Sequence, residues 1–452
     1  MTPGARLQAA IELLDDIARG GAADAAASAY FRARRYIGAK DRAAITERLY
    51  AVLRGRARLD WWLAHIAATV GEPTARPRVL AALMLIEGLS PARVAELCDG
   101  RAYGPARLSA DEQRALAALV GRTLDHPEQP EWVRGEFPAW LQAADDAPSA
   151  GELGALNQSA PLDLRVNALA GSRDQALAGL TAAGIVAAPT PLSPLGLRVV
   201  GRPALGQQAI FHDGLVEVQD EGSQLVALLA DARPGQAVLD LCAGAGGKTL
   251  ALAAAMRNRG RLIACDVSAK RLERAVKRLR RAGVHNVERR ALDPEGAGWL
   301  KRQAGRFDRV LVDAPCSGTG TWRRNPDMKW RIGPDDIVAL RRVQDELLDR
   351  ASKLVKPGGR LIYATCSLLA AENEQAIGAF LERHPGYRVV PVDQVWASVL
   401  PGRCPVDGPY LRLSPARHGT DGFFAAILEA APKAGREPGA ATGAAAEEAT
   451  AA

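Results

Sequence analysis

The stretch "DLCAGAGGKT" (240–249) decides how the C-terminal half of the sequence is interpreted. Its last three residues resemble the end of a phosphate-binding P-loop, G-x-x-x-x-G-K-[ST], which needs a further glycine five positions before Gly247. That position is Cys242, so the spacing excludes a P-loop. The apolar run "AVLDL" (237–241) leads into the glycines. A glycine-rich turn after a buried strand predicts a ligand site, because glycine lets the backbone approach a ligand closely.

Strand and helix patterns alternate from Pro234 onwards. Further strands are predicted at "RLIAC" (261–265), "RFDRVLVDAP" (306–315) and "GGRLIYATCS" (358–367), and a helix is predicted between Ser268 and Gly283. Such alternation is typical of a parallel sheet with helices on both faces. In that architecture ligands bind at the carboxyl ends of the strands, where the glycine turn lies.

An acid and a missing glycine narrow the choice of cofactor. Asp266 ends the second strand, at the distance from the glycines where an acid bonds the ribose hydroxyls of an adenosine-containing cofactor. This arrangement alone leaves NAD(P) and S-adenosylmethionine (SAM) open. The dinucleotide pattern G-x-G-x-x-G needs its third glycine at position 249, which is Thr249. The sequence therefore favours SAM.

Two of the six cysteines follow strands at the ligand-binding edge. Cys316 lies in "DAPCSGTG" (313–320) and Cys366 in "YATCS" (363–367). No pair of cysteines is spaced as C-x-x-C, and the six histidines show no ligand spacing, so we predict no metal site. A lone cysteine at a strand end is often an inert packing residue. Two beside one cofactor turn favour a chemical role.

A thiolate next to SAM suits one kind of acceptor. The C5 carbon of a pyrimidine becomes nucleophilic when a thiolate adds to C6, which divides one difficult step into two easier ones. A second acid–base group must then help to remove the C5 proton and release the thiolate. Asp313 is placed to bind the exocyclic amine and N3 of cytosine. A zinc deaminase needs P-C-x-x-C, and Ser317, Gly318 and Thr319 follow Cys316, so that class is excluded.

The motifs "DLCAGAGGKT", "DAPCSGTG", "RRNPDMKW" (323–330) and "YATCS" together resemble the RNA (cytosine-5) methyltransferases, and within them the bacterial 16S rRNA methyltransferase B group. The resemblance implies a Rossmann-like, class I SAM-dependent methyltransferase that makes 5-methylcytosine in RNA. The expected substrate is 16S rRNA, and a tRNA target stays open. By the same resemblance Cys366 is the nucleophile on C6, and Cys316 assists release of the product.

The resemblance also implies the residues that contact SAM. It places them in the glycine turn and at three acids that follow strands: Cys242, Ala243, Gly244, Ala245, Gly246, Gly247, Lys248, Asp266, Asp293 and Asp313. Proline is usual in the family where this chain has Ala245, so we expect a slightly looser turn.

Contacts with RNA are predicted in two places. Arg323 and Arg324 follow the Cys316 loop and are expected to bind the RNA backbone, whereas Trp330 is expected to pack on the sheet. The segment "DRAAITERLYAVLRGRARLDWWL" (41–63) resembles a NusB-like helical RNA-binding domain. Its arginines lie outside the apolar stripe. This position is expected either for a solvent-exposed face or for an RNA-binding surface. That stripe comprises Ile45, Leu49, Val52, Leu53 and Leu59.

The chain is interpreted as multi-domain. We predict an all-α NusB-like domain at 1–145, a small α+β domain at 146–232, the α/β methyltransferase domain at 233–430 and a disordered tail at 431–452. The net charge of +7 is compatible with an RNA partner. No signal peptide or membrane span is predicted, so we expect a cytoplasmic monomer. The alternative is a NusB-type RNA-binding assembly factor with an idle methyltransferase domain, which loss of either cysteine or of Asp313 would favour.

Overall fold

The computed structural model describes residues 1–66, 73–142, 144 and 147–432. The predicted disordered tail lies outside the described residues, apart from its first two positions. Three parts follow one another along the chain: a group of helices, a small antiparallel sheet and a large mixed sheet.

The N-terminal part is helical. The predicted apolar stripe is confirmed, because Ile45, Leu49 and Leu59 are completely buried in its core. The arginines beside the stripe are engaged with protein groups: Arg48 pairs with Glu87 at 2.6 Å, for example. The helices are α1 (Pro3–Ala18), α2 (Ala23–Ala33), α3 (Ala39–Arg54), α4 (Arg56–Ile66), α5 (Ala75–Leu85), α6 (Pro91–Leu97), α7 (Ala110–Ala118), α8 (Glu131–Arg134), α9 (Ala139–Gln142) and α10 (Ala150–Leu156).

The segment after α7 is attached to the helices by Glu136, whose side chain is fully buried. Its carboxylate accepts hydrogen bonds from the main-chain N–H of Ala57 (2.9 Å) and of Arg58 (3.2 Å), in the first turn of α4. The Arg58 guanidinium adds an ion pair at 2.9 Å. Glu136 therefore satisfies N–H groups that would be orphaned at the start of a helix.

Glu136→Ala is expected to destabilise the helical part by about 3 kcal/mol, because it leaves two N–H groups without their acceptor and the mostly buried Arg58 guanidinium with only its ion pair to the exposed Asp125 among the described residues. Thermal unfolding followed by circular dichroism should show a transition several degrees lower than in the wild type. The matched control is Glu128→Ala, an exposed acid in the same segment. Equal melting of the two variants would contradict the role given to Glu136.

A small sheet follows the helices. Its strands are β1 (Leu162–Val166), β2 (Ala187–Pro189), β3 (Gly196–Val199) and β4 (Val216–Val218), and its helices are α11 (Arg173–Ala182) and α12 (Ala209–His212). The strand order is β2-β3-β1-β4, and all pairs are antiparallel. One face of this sheet packs against α11 and α12 around Leu164, Leu180 and Leu197.

The large sheet has eight strands: β5 (Ala237–Asp240), β6 (Arg261–Asp266), β7 (Val287–Ala291), β8 (Phe307–Asp313), β9 (Val355–Thr365), β10 (Tyr387–Val390), β11 (Leu411–Leu413) and β12 (Phe423–Ala430). Its order is β10-β12-β9-β8-β5-β6-β7, with β11 also paired to β12. The predicted parallel sheet is confirmed for β5 to β9. Beyond β9, β12 pairs antiparallel to β9, and β10 and β11 each pair antiparallel to β12. The alternation of strand and helix patterns did not predict these antiparallel pairs.

Helices cover both faces of this sheet: α13 (Glu221–Leu229), α14 (Gly247–Ala255), α15 (Ala269–Arg281), α16 (Pro294–Lys301), α17 (Pro334–Ser352), α18 (Glu374–Arg383), α19 (Val392–Val399) and α20 (Pro415–His418). Successive residues of β5 show the arrangement, because Val238 packs with residues of α13 and α14, and Leu239 packs with residues of α17 and α18. The Ser268 hydroxyl caps α15 as predicted. Among the described helices, none has the length and apolar character needed to cross a bilayer.

Candidate active site

The glycine turn lies between β5 and α14, where the strand order reverses and where open α/β sheets bind ligands. Gly244 and Gly246 have φ angles of +56° and +81°, in the left-handed region that favours glycine. A Cβ atom on Gly246 would also lie only 3.0 Å from the Cβ of Ala275 in α15. Conformation and close packing therefore both require glycine at position 246.

Asp266 shapes this turn from the end of β6. Its carboxylate is buried and accepts hydrogen bonds from the N–H groups of Gly244 and Ser268, both at 2.8 Å. The Arg271 guanidinium lies 3.6 Å away. The acid that was predicted to bind ribose thus also fixes the turn, and the ribose contact stays a prediction.

Asp240, at the end of β5, lies beneath the turn. One carboxylate oxygen accepts a hydrogen bond from the Thr249 hydroxyl at 2.7 Å. The other oxygen, Oδ1, is buried and has no hydrogen-bond partner among the described residues. Burial raises the pKa of this carboxyl to about 7. A buried acceptor without a donor points to a donor supplied by a ligand.

Lys248 and Asp313 connect the turn to the neighbouring strand. The Lys248 ammonium lies 2.7 Å from Oδ2 of Asp313, the last residue of β8, and 5.2 Å from the ring centroid of Phe423. The Asp313 side chain is 33% exposed, so its carboxylate is accessible from solvent. Cys242 in the same turn is half-buried, and burial raises the pKa of its thiol, which favours an unreactive thiol.

The two cysteines predicted to do the chemistry lie side by side. β8 and β9 are parallel neighbours, with Asp313 opposite Ala364, so the loops that follow them leave the sheet at the same edge. The Sγ atoms of Cys316 and Cys366 are 3.4 Å apart. The hydrogen bond with Cys366, followed by burial, raises the pKa of the Cys316 thiol well above its ordinary value. Cys316 therefore keeps its proton at neutral pH while Cys366 is unmodified.

Glu372 holds the Cys316 loop in place and was not predicted from the sequence. Its buried carboxylate accepts hydrogen bonds from the Ser317 N–H at 2.9 Å, from the Ser317 hydroxyl and from the Gln344 amide at 3.0 Å. The Gln344 amide also donates to the Pro315 carbonyl at 2.9 Å. Glu372 and Gln344 together thus brace the residues on either side of Cys316.

Gly320 brings a third loop to the site. Its N–H donates to the Cys366 carbonyl at 2.9 Å, and its own carbonyl accepts from the Gly422 N–H at 2.8 Å. A Cβ atom on Gly320 would lie 2.4 Å from the Gly422 carbonyl oxygen. The two cysteine loops and the segment before β12 therefore meet backbone to backbone, which leaves no room for a side chain.

Two family models match the chain. One, described as 16S rRNA methyltransferase RsmB/F, matches residues 227–429, and the other, the ferredoxin-like domain of RsmF/B-like methyltransferases, matches residues 137–204. The ribosomal RNA small subunit methyltransferase B of Yersinia pseudotuberculosis is 34% identical over 376 residues, which cover 78% of this chain and 84% of the relative. The chain belongs to the RsmB/F family of 16S rRNA methyltransferases. The protein of the same name from Erwinia tasmaniensis is 33% identical and covers 88% of this chain and 92% of its own.

Solved structures share the fold of this chain. The crystal structure of PH0851 superposes with a TM-score of 0.75 at 26% identity, over 95% of this chain and 99% of that chain. A methyltransferase homologue from Pyrococcus horikoshii gives a TM-score of 0.54 at 30% identity, over 62% and 90%. The predicted Rossmann-like methyltransferase fold is confirmed. The NusB-like class of the N-terminal helices and the predicted domain boundaries stay predictions.

Membership of the RsmB/F family confirms SAM as the cofactor. The residues of the turn fit this molecule. Oδ1 of Asp240 is a buried acceptor for a cationic donor such as the ammonium of SAM, and Gly244 and Gly246 keep side chains out of the turn. The structure brings the whole predicted set Cys242–Lys248 to one edge of the sheet, with Asp266 and Asp313. Asp293 starts α16 and accepts from the Gly296 N–H at 2.8 Å, so its contact with SAM stays a prediction.

Asp240→Asn is expected to raise the melting temperature of the cofactor-free protein in a pH-dependent way. Burial raises the pKa of Asp240 from 3.8 to about 7. Between these values the unfolded chain ionises this carboxyl while the folded protein keeps it protonated, so the folded state loses stability as the pH rises. Asparagine does not titrate. The difference in melting temperature between Asp240→Asn and the wild type should therefore increase up to about pH 7 and stay constant above it.

The measurement is the melting temperature of both proteins at about pH 4 and about pH 8. The surface variant Asp393→Asn serves as the control and should show no such growth. If the difference in melting temperature between Asp240→Asn and the wild type is the same at both pH values, the folded protein does not hold Asp240 as a neutral carboxyl.

Arg323 and Arg324, which were predicted to bind RNA, have carboxylate partners in the structure. Both guanidinium groups pair with Asp421 and with Asp220, and the side chain of Arg323 is only 6% exposed. These pairs connect the Cys316 loop to α13 and to the segment before β12. The predicted RNA contact of the two arginines stays a prediction. Trp330 lies against the N-terminal helices, with the Arg56 guanidinium 5.5 Å from its ring centroid.

Proposed function

We propose that this protein methylates C5 of a cytosine in 16S rRNA through a transient covalent bond between Cys366 and C6 of the base. The observation that carries the proposal is the pair of Sγ atoms 3.4 Å apart at the carboxyl edge of the sheet. A pyrimidine C5 methyltransferase needs one sulfur as nucleophile and a second group for proton transfer beside it. Rossmann-like methyltransferases with other acceptors have no need of two adjacent thiols.

Cys366 acts first in the proposed reaction. Its thiolate adds to C6, the electrons of the C5=C6 bond move towards C5, and C5 then takes the methyl group. SAM supplies that methyl group when it is bound at the glycine turn. The Cys316 thiol, which keeps its proton next to Cys366, donates a hydrogen bond that stabilises the attacking thiolate.

Cys316 acts in the second half of the reaction. The first cause of its raised pKa is the hydrogen bond with Cys366, and this cause disappears once the Cys366 sulfur is bonded to C6. Cys316 then loses its proton to solvent more readily, and the resulting thiolate can accept the proton from C5. The electrons of the C5–H bond restore the C5=C6 bond, and the Cys366 thiolate leaves. The same contact thus suits Cys316 to both halves of the reaction.

Asp313 is proposed to select cytosine. Its carboxylate accepts a hydrogen bond from the exocyclic amine of cytosine, whereas uracil presents a carbonyl oxygen at that position. Two acceptors facing each other would be unfavourable, so uracil is rejected. Lys248 holds one carboxylate oxygen of Asp313 at 2.7 Å and thereby orients the group.

The remaining predictions complete the proposal. The N-terminal helices act as a NusB-like RNA-binding domain, and Arg323 and Arg324 assist in binding RNA near the Cys316 loop. The target base must leave its stack to reach Cys366, so a loop or a partly unfolded rRNA is the expected substrate. The protein is proposed to act as a cytoplasmic monomer, and its expected domains are 1–145, 146–232 and 233–430.

The proposal is tested by incubating the purified protein with SAM and unmodified 16S rRNA, followed by nuclease digestion and mass spectrometry of the nucleosides. The expected product is 5-methylcytidine. A methyl group on another base or atom would overturn the proposal. If 16S rRNA, intact small subunits and tRNA all stay unmodified while the protein binds the cofactor, the idle-domain alternative is supported instead.

A further inference from the structure

A buried arginine of the small sheet contacts the cofactor turn directly. Arg165 lies on β1 and is 3% exposed. Its guanidinium donates to the carbonyl of Gly247, the first residue of α14, at 2.8 Å and to the side-chain carbonyl of Gln219, just after β4. A residue outside the methyltransferase sheet thus holds the backbone of the turn that was assigned to SAM.

The chemistry of this contact is unusual for an arginine in a protein interior. These two hydrogen bonds go to neutral oxygens, and burial lowers the pKa of Arg165 to about 10, so the group stays charged at neutral pH. Burying a charge is costly unless its donors are well satisfied. Both hydrogen bonds come from one guanidinium nitrogen, Nη1, so the position favours a long side chain whose charged donor reaches two carbonyl oxygens at once.

A second arginine also braces the same turn. Arg278 of α15 donates to the carbonyl of Ala245 at 2.7 Å, and it is itself held by Glu217 of β4 at 3.4 Å. Glu217 also binds Arg281 at 2.6 Å. The small sheet therefore contacts the cofactor turn directly through Arg165. It also acts on the turn indirectly, because Glu217 binds Arg278, which donates to the turn.

We propose that Arg165 is a positioning residue for the cofactor turn and that the small sheet thereby sets the affinity for SAM. The guanidinium fixes the Gly247 carbonyl and with it the start of α14. The N–H groups at this helix start and the turn before it must keep one conformation for the cofactor to bind. The inference depends on SAM as the cofactor and not on the proposed reaction at C5.

The chain offers a matched control in Asn167, which directly follows β1. Its amide donates to the carbonyl of Gly214 at 2.9 Å and to that of Ala282, at the end of α15, at 3.0 Å. Like Arg165, Asn167 therefore makes one hydrogen bond within the small-sheet region and one to the methyltransferase part, and neither bond of Asn167 involves the cofactor turn.

The experiment measures binding of S-adenosylhomocysteine to the full-length protein by isothermal titration calorimetry, without RNA. Arg165→Met is expected to weaken binding about tenfold or more, because a charged hydrogen bond to the turn is lost. Asn167→Ala should bind within about twofold of the wild type, although both variants lower the melting temperature. Arg165→Lys keeps the buried charge on a flexible ammonium in place of the rigid guanidinium, so an intermediate weakening is expected.

Two results would overturn the proposal. One is wild-type affinity in both Arg165 variants. The other is equal weakening in Arg165→Met and Asn167→Ala, which would assign the effect to the docking of the small sheet as a whole. If Arg165→Met fails to fold, the comparison of Arg165→Lys with Asn167→Ala decides between these results. Because neither RNA nor methyl transfer is involved, failure of the proposed function would leave this measurement unchanged.

Discussion

Cys366→Ala is expected to lower the turnover of RNA methylation by about four orders of magnitude while leaving the affinity for S-adenosylhomocysteine unchanged. Without the sulfur, nothing adds to C6, and C5 of cytosine stays too weak a nucleophile to take the methyl group. Cys366 directly follows β9, and among the described residues its side chain makes its hydrogen bond with Cys316 and not with a residue of the glycine turn, so binding of the cofactor should persist. Transfer of a labelled methyl group to 16S rRNA measures the first quantity, and calorimetry measures the second.

The nucleophile can also be trapped. In RNA that contains 5-fluorocytidine, the fluorine at C5 cannot leave as a proton does, so the wild-type protein should stay attached to the RNA in a denaturing gel. Cys366→Ala should form no such adduct. Cys404→Ala is the control, because Cys404 is also a half-buried free thiol but packs near α19. An adduct that persists in Cys366→Ala would reassign the nucleophile, with Cys316 as the next candidate.

The cofactor turn could be predicted from the sequence because its requirements are local. Glycines at 244, 246 and 247, an acid at the end of the next strand and the Ser268 cap all lie within the 25 residues 244–268, and each follows from backbone geometry. The cysteines could be placed at one edge for a related reason. Parallel strands present their carboxyl ends at the same edge, so two motifs that each follow such a strand must come together.

The residues that hold the site could not be predicted, because their partners are distant in the sequence. Glu372 binds Ser317 from 55 residues away, and Arg165 reaches Gly247 from 82 residues away. Nothing next to either residue marks it. Arg278 of α15 likewise braces the cofactor turn from 33 residues away. An ion pair between an acid and an arginine on different elements produces no periodic pattern in the sequence. An apolar stripe on a helix does produce one.

Asp240 was visible in the sequence as the acid before the glycine turn, but it was not among the predicted site residues. Its role became clear only when the structure showed a buried oxygen without a donor. Arg323 and Arg324 show the reverse. A basic, aromatic segment indicated RNA, and the structure revealed carboxylates from α13 and from the segment before β12 as their partners. The sequence shows that these side chains are charged. Only the structure shows which carboxylates neutralise them.

Cys316→Ala is expected to trap the enzyme on its ordinary substrate. The variant keeps the Cys366 nucleophile, so the bond to C6 forms and C5 takes the methyl group. The group proposed to remove the C5 proton is missing, so elimination of Cys366 slows by about two orders of magnitude or more. With unmodified 16S rRNA and SAM, a denaturing gel should show a protein–RNA complex that carries the labelled methyl group, and turnover should be correspondingly low.

Cys316→Ser separates the two roles proposed for Cys316. A serine hydroxyl can still donate a hydrogen bond to the Cys366 sulfur, but it is too weak an acid to exchange a proton with C5 near neutral pH. This variant should therefore also accumulate the complex, and it should form it faster than Cys316→Ala. The double variant with Cys366→Ala should form no complex. If Cys316→Ala is inactive without any complex, Cys316 is required before the bond to C6 forms, and its place in the reaction moves from release to attack.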